Sequence, residues 1–328
     1  MAGPTPEPIM KVAMGFMAAK HLFVASEVGL FEALAAGPAD LTTLSHKLGV
    51  PARTLGILAA AMAGVGLLER DGGKYKNSEA AAGFLAGVPG IDLRPHLRFW
   101  DQISYPMWQK LADAVRSGEG QSQFGRLDSR QQQIFSTGVE AFTAPVAAAL
   151  AATYEFGRHR RVLDVAGGTG SFLVAVLKKH PALQATLFEL PGPCAVARLK
   201  LQNLPEGERI EVVEGDVFKD PLPDGHDVVI VANAVHVFSA DHNIGLMKAI
   251  RASVAAGARL LLADLWTDPT YTQPAPAALM SGEFLTFSGE GQSYSEADAR
   301  VWLDQTGWRM LEHKPLAGPA SLIVAEAV

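Results

Sequence analysis

Cysteine is almost missing. Cys194 is the single one in 328 residues, so no internal disulfide is possible and a disulfide-framed secreted scaffold is excluded. Positive charge is not in surplus. Lys and Arg number 28 against 34 Asp and Glu, a net charge of −6, which leaves no broad cationic footprint for nucleic acid. No uninterrupted apolar run reaches the ~18 residues that a bilayer-spanning helix needs. The leading MAGPTPEPIM has neither a charged opening nor an apolar core, so it does not read as an export signal. Internal repeats and extended low-complexity tracts are also missing. These absences fit a cytoplasmic globular protein of about two domains. Cys194 itself, at the start of an expected helix, reads as a small packing residue more than a reactive thiol.

What is present is organised around Arg161–Ser171, RVLDVAGGTGS. Arg161–Val165 is a short, partly β-branched run and predicts a buried strand. Gly167, Gly168 and Gly170 follow, and then Phe172–Lys179 reads as a helix stopped by His180-Pro181. Strand, glycine loop and helix let a ligand approach bare backbone at a helix N-terminus. The details argue against a dinucleotide or a triphosphate. Leu173 stands near the third-glycine position, and no lysine follows Gly170. Asp164, just before the loop, repels a pyrophosphate and attracts an ammonium or sulfonium.

The next expected strand, Ala185–Leu190, brings Glu189 to its end, where a carboxylate can accept two ribose hydroxyls. A third, Ile210–Glu214, runs into Gly215-Asp216-Val217-Phe218. Asp216 is placed to accept from an adenine amino group, and Val217 or Phe218 to cover the ring. Each acid alone also reads as a cap or a solvated strand end. Acids at successive strand ends beside a glycine loop fit an adenosine with a cationic amino-acid tail, which is S-adenosylmethionine.

In the N-terminal third, Met10–Val28 is apolar nearly all round and predicts a helix buried on most sides, most economically by a partner subunit. A helix from Asp40 to Gly49, a second over Pro51–Gly64 and a hairpin over Leu67–Tyr75, with Asp71-Gly72-Gly73 at its tip, outline a winged helix. DNA binding is disfavoured. The second helix offers Leu55, Ile57, Leu58 and Met62 where base and phosphate contacts would be needed, with only Arg53 and Thr54 at its start.

Leu93–Arg116 is helical and dense in aromatics, with Phe99, Trp100, Tyr105 and Trp108 fitting a core and a pocket equally. Ser117–Asp128 reads as a loop. Gln131–Tyr154 is helical, with Phe135, Phe142 and Thr143 on a candidate pocket face and Pro145 expected to interrupt it.

Further on, the apolar strand Asp227–Ala232 runs into Asn233-Ala234-Val235-His236, and Ser239 is placed to cap the next helix. His236 then stands at a strand's carboxyl edge, where doubly wound sheets place their chemistry. A neutral imidazole suits removal of a proton from a hydroxyl as it attacks a sulfonium methyl. His236, Asp241 and His242 suggest a metal only superficially. Asp241 and His242 fall in a first helical turn, where an acid is favoured by the helix dipole, and no metal is expected. Met280, Phe284 and Phe287 recur at helical spacing and fit pocket or core. Ser295 opens a capped helix, and Ser321–Ala327 reads as a last strand.

The motifs DVAGGTG, LFELPG, EGDVFKDPLPDGHDVVIVANAVHVFS and ARLLLADLW resemble, in order and spacing, the small-molecule S-adenosylmethionine-dependent O-methyltransferases of caffeate, hydroxyindole and bacterial antibiotic-pathway type. The resemblance covers nearly the whole chain. It implies an α/β fold, a Rossmann-like doubly wound, mostly parallel sheet of the class I methyltransferases, preceded by a mostly helical winged-helix-like dimerisation domain. The expected divisions are 1–92 for dimerisation, 93–157 for a helical linker contributing to the acceptor pocket, and 158–328 for the catalytic domain.

It further implies a homodimer with neither nucleic acid nor membrane as partner. Cofactor contacts fall on Asp164, Gly167, Gly168, Gly170, Glu189, Leu190, Asp216, Val217, Phe218 and Asn233. The acceptor pocket falls on Trp100, Tyr105, Trp108, Phe142, Met280 and Phe284. His236, in AVHVF, matches the general base of the family's VLHDW, and Asp264 matches the acid that holds its tautomer. Two departures stand out. Val237 replaces the acid after the histidine, and Gly289–Ser295 lacks a further expected carboxylate, with Glu290 out of register. Methyl transfer to a hydroxyl of a small, aromatic acceptor is therefore expected. Transfer to nitrogen or carbon, and a non-methylating reaction on the same fold, are the alternatives.

Overall fold

The computed structural model describes residues 3–328 and divides into two compact units, Met1–Ile103 and Ser104–Val328. In the first, α1 (Glu7–Ala13) and α2 (Gly15–Glu27) replace the single helix expected over Met10–Val28. The break falls at Met14, directly before Gly15, a residue that adds little to helix stability. α1 buries no side chain, and Ile9, Val12 and Phe16 are 71%, 82% and 55% exposed. Next come α3 (Leu30–Ala33), β1 (Ala39–Asp40) and α4 (Leu41–Leu48), whose first turn is capped by Asp40 accepting from Thr43 N at 2.8 Å. α5 (Ala52–Gly64) follows, then β2 (Leu68–Asp71) and β3 (Lys74–Asn77) joined at Gly72-Gly73, α6 (Glu79–Phe84) and α7 (Arg94–Phe99). The strands form an antiparallel sheet in the order β1-β3-β2, the wing of a winged helix. Leu55, Leu58 and Met62 of α5 are buried in this unit's core.

A wide π-helical turn, Trp100–Ser104, leads to α8 (Tyr105–Trp108), α9 (Leu111–Ser117) and α10 (Ser129–Thr153). Asp128 and Gln131 close a capping box at the start of α10. Pro145 does not interrupt this helix, contrary to expectation. Proline's fixed φ is already helical and it forfeits one backbone bond, which a 25-residue helix packed on its neighbours survives.

The sheet begins with β4 (Arg161–Val165) and continues through α11 (Ser171–Lys179), β5 (Gln184–Glu189), α12 (Pro191–Leu201), β6 (Ile210–Glu214), β7 (His226–Ala232), α13 (Ala240–Ser253) and β8 (Val254–Asp264). α14 (Ala275–Ser288), α15 (Glu296–Gln305), β9 (Trp308–Pro315) and β10 (Ser321–Ala327) complete it. The strand order is β6-β5-β4-β7-β8-β10-β9. β4 to β8 run parallel, and β10 lies antiparallel between β8 and β9. The chain reverses its direction of travel across the sheet after β6, so the carboxyl ends of β4 and β7 form the switch point where such sheets bind ligands. β9 was not foreseen. Its sequence, WRMLEHKP, is charged, as suits an edge strand whose side chains mostly face water.

Alternation along β4 and β7 supplies two cores. Val162, Val228 and Ile230 pack with α10, α11 and α12 on one face, while Leu163, Val229 and Val231 pack with α13 and α15 on the other. Asp164 shares the face of Val162.

The expectation about apolar runs needs one correction. Glu7–Glu27 and Ser129–Thr153 are long and apolar enough to cross a membrane by length and composition. Lys11, Lys20 and His21 interrupt the first, which an uninterrupted-run criterion registers and an average does not. The second packs against α11 and α12.

Candidate active site

β4 delivers Asp164 to the mouth of the sheet, fully buried, with neither carboxyl oxygen hydrogen-bonded. Gly167 folds back over it. A Cβ at 167 would sit 2.4 Å from the Asp164 carboxyl and 2.7 Å from Leu187, so only glycine permits this approach. Ala166, Gly168 and Gly170 all adopt left-handed backbone, with φ of 56°, 59° and 73°. The loop's donors are used internally. Gly168 N donates to Glu189 at 2.9 Å, and Leu190 N donates to the other Glu189 oxygen at 2.6 Å. A glycine loop whose N–H binds the protein's own carboxylate is no phosphate cradle.

Burial, and then repulsion from Glu189, hold the Asp164 carboxyl well above the usual carboxylate range. Burial also raises Glu189, against the lowering effect of its two backbone donors. An orphaned buried carboxyl beside a second acid fits a cationic amino-acid tail, and Glu189 retains spare lone pairs for hydroxyl donors. The residues present therefore suit S-adenosylmethionine.

The third acid is placed differently. Asp216 accepts from Phe218 N at 3.0 Å and pairs with Lys219 at 2.7 Å, which holds its carboxyl below its ordinary value. Val217 packs on the sheet's second core. Phe218 is 42% exposed and stands edge-on to Phe238 at 5.0 Å.

Cys194 is fully buried, and burial pushes its thiol up to about 12, the opposite of an activated cysteine.

Across the switch point, Asn233 N donates to Ala263 O at 2.9 Å, prolonging the β7–β8 ladder by one residue. Asn233 then turns the chain through left-handed backbone, φ 52°, into the short turn Val235–Val237. Asn243 of α13 is fully buried and donates to Val235 O at 2.9 Å and Phe238 O at 3.3 Å. Tyr294 Oη donates to Phe238 O at 2.7 Å. So held, His236 Nδ1 lies 2.5 Å from Asp264 Oδ1. Asp264 is 2% exposed and also accepts from Leu265 N at 2.7 Å. A carboxylate only accepts, so Nδ1 carries the hydrogen and Nε2 keeps its lone pair. The Phe284 ring stacks on the imidazole with centroids 3.8 Å apart.

Glu290 pairs with His242 Nδ1 at 2.6 Å. The out-of-register acid thus serves a surface histidine, and Asp264 carries the orientation of His236.

The other expected pocket residues gather in part. Met280 packs beside the core that contains Phe284. Trp108 is 36% exposed, lies over Gly282 and donates to Glu283 at 2.6 Å. Tyr105 opens α8, and Phe142 lies half-buried on α10. Trp100 belongs to the first unit, where its ring packs on His96 at 4.2 Å.

Three polar residues escaped the sequence reading: Glu140, Asn243 and Glu283. Glu140 of α10 accepts from Thr169 Oγ1 of the glycine loop at 2.8 Å and from Lys200 at 2.6 Å. Asn243 and Glu283 lie among apolar helix positions, which is the signal that could have marked them.

Comparison with known proteins is consistent with this geometry. Residues 108–309 match the family model of the O-methyltransferase domain, and residues 10–87 that of the O-methyltransferase dimerisation domain. The chain is 31% identical to the 3-hydroxy-5-methyl-1-naphthoate 3-O-methyltransferase of Streptomyces sahachiroi, over 96% of this chain and 93% of that one. Among solved structures, PigF with SAH aligns at a TM-score of 0.88 and 29% identity, covering 98% of this chain and 100% of that one. Human N-acetylserotonin methyltransferase in complex with SAM aligns at 0.89 and 25% identity, covering 99% of each.

Proposed function

The chain belongs to the S-adenosylmethionine-dependent O-methyltransferase family, and from that premise we propose that its acceptor is a small aromatic hydroxyl compound and its general base His236. When bound, S-adenosylmethionine supplies a methyl group activated on a sulfonium. The chain's residues do the rest. Asp164 and Glu189, with the loop Gly167, Gly168 and Gly170, hold the amino-acid tail and ribose. Leu190, Asp216, Val217, Phe218 and Asn233 border the nucleoside. Tyr105, Trp108, Phe142, Met280 and Phe284 exclude water around the acceptor. His236 Nε2 draws the proton from the acceptor hydroxyl, while Asp264 holds the tautomer and stabilises the imidazolium that forms. Positioning and desolvation carry the remainder of the acceleration.

The observation that carries this reading is the 2.5 Å contact between His236 Nδ1 and the buried Asp264, which leaves Nε2 basic. The naphthoate-methylating relative supports the aromatic acceptor. Segment 1–92 is read as the dimerisation domain, with a second copy covering α1 and α2, 93–157 as the linker that helps form the acceptor wall, and 158–328 as the catalytic domain. Partners of nucleic acid or membrane type do not belong to this reading, and a cytoplasmic location does.

The test is incubation with S-adenosylmethionine and 2-naphthol or 3-hydroxy-2-naphthoate, with the methyl position assigned by mass spectrometry and NMR. An aryl methyl ether formed in step with S-adenosylhomocysteine is expected. A methyl group on carbon, or conversion without S-adenosylhomocysteine, overturns the reading.

A further inference from the structure

α14 carries an acid where its pattern calls for an apolar residue. Met280, Phe284 and Phe287 define one stripe of the helix, and Glu283 lies within it, a turn after Met280 and a turn before Phe287. Glu283 is only 5% exposed. A carboxyl removed from water to that degree normally has partners for both oxygens. One oxygen has two: Ser104 Oγ and Trp108 Nε1 each donate to Oε2 at 2.6 Å. Oε1 is buried with no hydrogen-bond partner.

That asymmetry is informative. A carboxylate oxygen has two lone pairs and can take both donors, so Ser104 and Trp108 need only one oxygen of Glu283. Here both donors fall on Oε2, at lengths characteristic of bonds to an ionised acceptor. They fix the side chain and leave Oε1 in one place, ready for a third donor. Burial works the other way on the carboxyl and raises its pKa, against the two donors.

The place is next to the chemistry. Phe284, the following residue, stacks on His236. On the preceding residue, Gly282, a Cβ would come within 2.7 Å of the Trp108 ring, so the indole lies directly on the helix backbone. We infer that Glu283 is a specificity-determining residue whose Oε1 accepts an N–H or O–H that the acceptor carries at a second position, away from the hydroxyl that is methylated. This rests on the aromatic-hydroxyl reading above and narrows it to acceptors with such a second donor.

The chemistry of Trp108 provides a sharp variant. Its Nε1 only donates, so Glu283→Gln must turn its carbonyl oxygen to Trp108 and Ser104. The amide NH2 then occupies the position of Oε1, and an acceptor becomes a donor at nearly constant shape.

The probes are isosteric pairs of 2-naphthols bearing either an amino or a methyl group at carbon 5, 6, 7 or 8. O-methylation kcat/KM is measured for each, and calorimetry gives the affinity of each for protein saturated with S-adenosylhomocysteine. In the natural enzyme at least one amino compound is expected to exceed its methyl partner about tenfold or more in both readouts. Glu283→Gln should erase or reverse that preference while S-adenosylhomocysteine affinity stays within about threefold. If naphthols are methylated but no pair is discriminated, or the preference survives in Glu283→Gln, the inference fails and the aromatic-hydroxyl reading stands. If no naphthol is bound or methylated, the aromatic-hydroxyl reading fails, and this inference with it. Should Glu283→Gln not fold, the ranking in the natural enzyme decides alone.

Discussion

Two pairs of buried carboxylates line the catalytic unit, and side chains donate to only one of them. At the ends of β4 and β5, Glu189 is held by backbone N–H groups of Gly168 and Leu190, and Asp164 by none. On the proposed acceptor side, Asp264 takes the His236 imidazole together with the backbone N–H groups of Leu265 and His236, and Glu283 takes the Ser104 and Trp108 side chains. Backbone donors come with the turn itself, so any chain that makes this loop has them. Side-chain donors depend on which residues a given chain happens to carry. The difference teaches how one fold keeps its cofactor and changes its acceptor: no side chain holds the first pair, while substitutable side chains hold both acids of the second.

The strongest way to separate the two regions is His236→Ala. A general base contributes about 10²- to 10⁴-fold, so the single-turnover rate should fall by that factor. S-adenosylhomocysteine affinity, measured by calorimetry, should stay within about threefold, because the role proposed for His236 lies with the acceptor. A parallel collapse of affinity would erase the distinction.

Asp164→Asn probes the other region. Removing one partner of a buried charge pair is costly, and affinity for S-adenosylhomocysteine should drop about 100-fold or more. The apoprotein should respond in the opposite direction. Folding holds the Asp164 proton to a higher pH than the ordinary value of 3.8, through burial and the neighbouring Glu189. Between those two values the folded state binds more protons than the unfolded one, so stability falls as pH rises through that window. Asp164→Asn removes that slope and should raise the apoprotein's melting temperature at neutral pH by a few degrees. A cationic ligand beside Asp164 favours its ionised form. Calorimetry in two buffers of different ionisation enthalpy should therefore record proton release on binding within that pH window. Absence of release, with unchanged apoprotein stability in the variant, would falsify the buried-acid account.

Asp264→Asn should have a smaller effect, about 10- to 100-fold on rate, because the imidazole remains but loses the partner that fixes its tautomer. Calorimetry distinguishes this from simple loss of packing: S-adenosylhomocysteine affinity should stay within about threefold and the melting temperature within a few degrees. A fall in rate matched by losses in both would point to packing.

The legible parts of the chain follow the same division. Arg161–Val165, Ile210–Glu214 and Ser321–Ala327 are strands with the expected bounds, because each carries β-branched residues that favour extended backbone. Asp164 and Glu189 could be read as acids at strand ends, since strand and loop together fix their place. His236 and Asp264 became a pair only through resemblance to a family, as they are far apart in sequence and the contact is made by β7 and β8 lying side by side. Glu283 stands out only as an acid among apolar helix positions, and its partners could not be read. Its meaning depends on Ser104 and Trp108, which reach it from a remote helix. Phe218 shows the converse: its placement after β6 was foreseen, while its packing on Phe238 is set by a turn held by Asn243. Pro145 and Met14 mark where local propensity misled, one tolerated inside a packed helix and one breaking an apolar run.

The smallest expected effect lies where the two regions touch. Thr169, in the glycine loop, is 4% exposed, and its hydroxyl donates to Glu140 on α10, the helix that also carries Phe142. Lys200 approaches the same carboxylate at 2.6 Å, so Glu140 keeps a partner when Thr169 loses its hydroxyl. Thr169→Val conserves shape and removes the bond to Glu140 and a long one from Lys200 at 3.4 Å, a loss of about 1 kcal/mol. For a unit of this size that is a fall of roughly 2–4 °C in melting temperature, read by calorimetry. Cofactor affinity and KM for a naphthol should each change less than about threefold, since the loop's conformation is set by its glycines and by Glu189. A large rise in KM with cofactor affinity intact would mean that the contact transmits loop position to the acceptor wall, and the separation between a main-chain cofactor site and a side-chain acceptor site would have to be given up at this point.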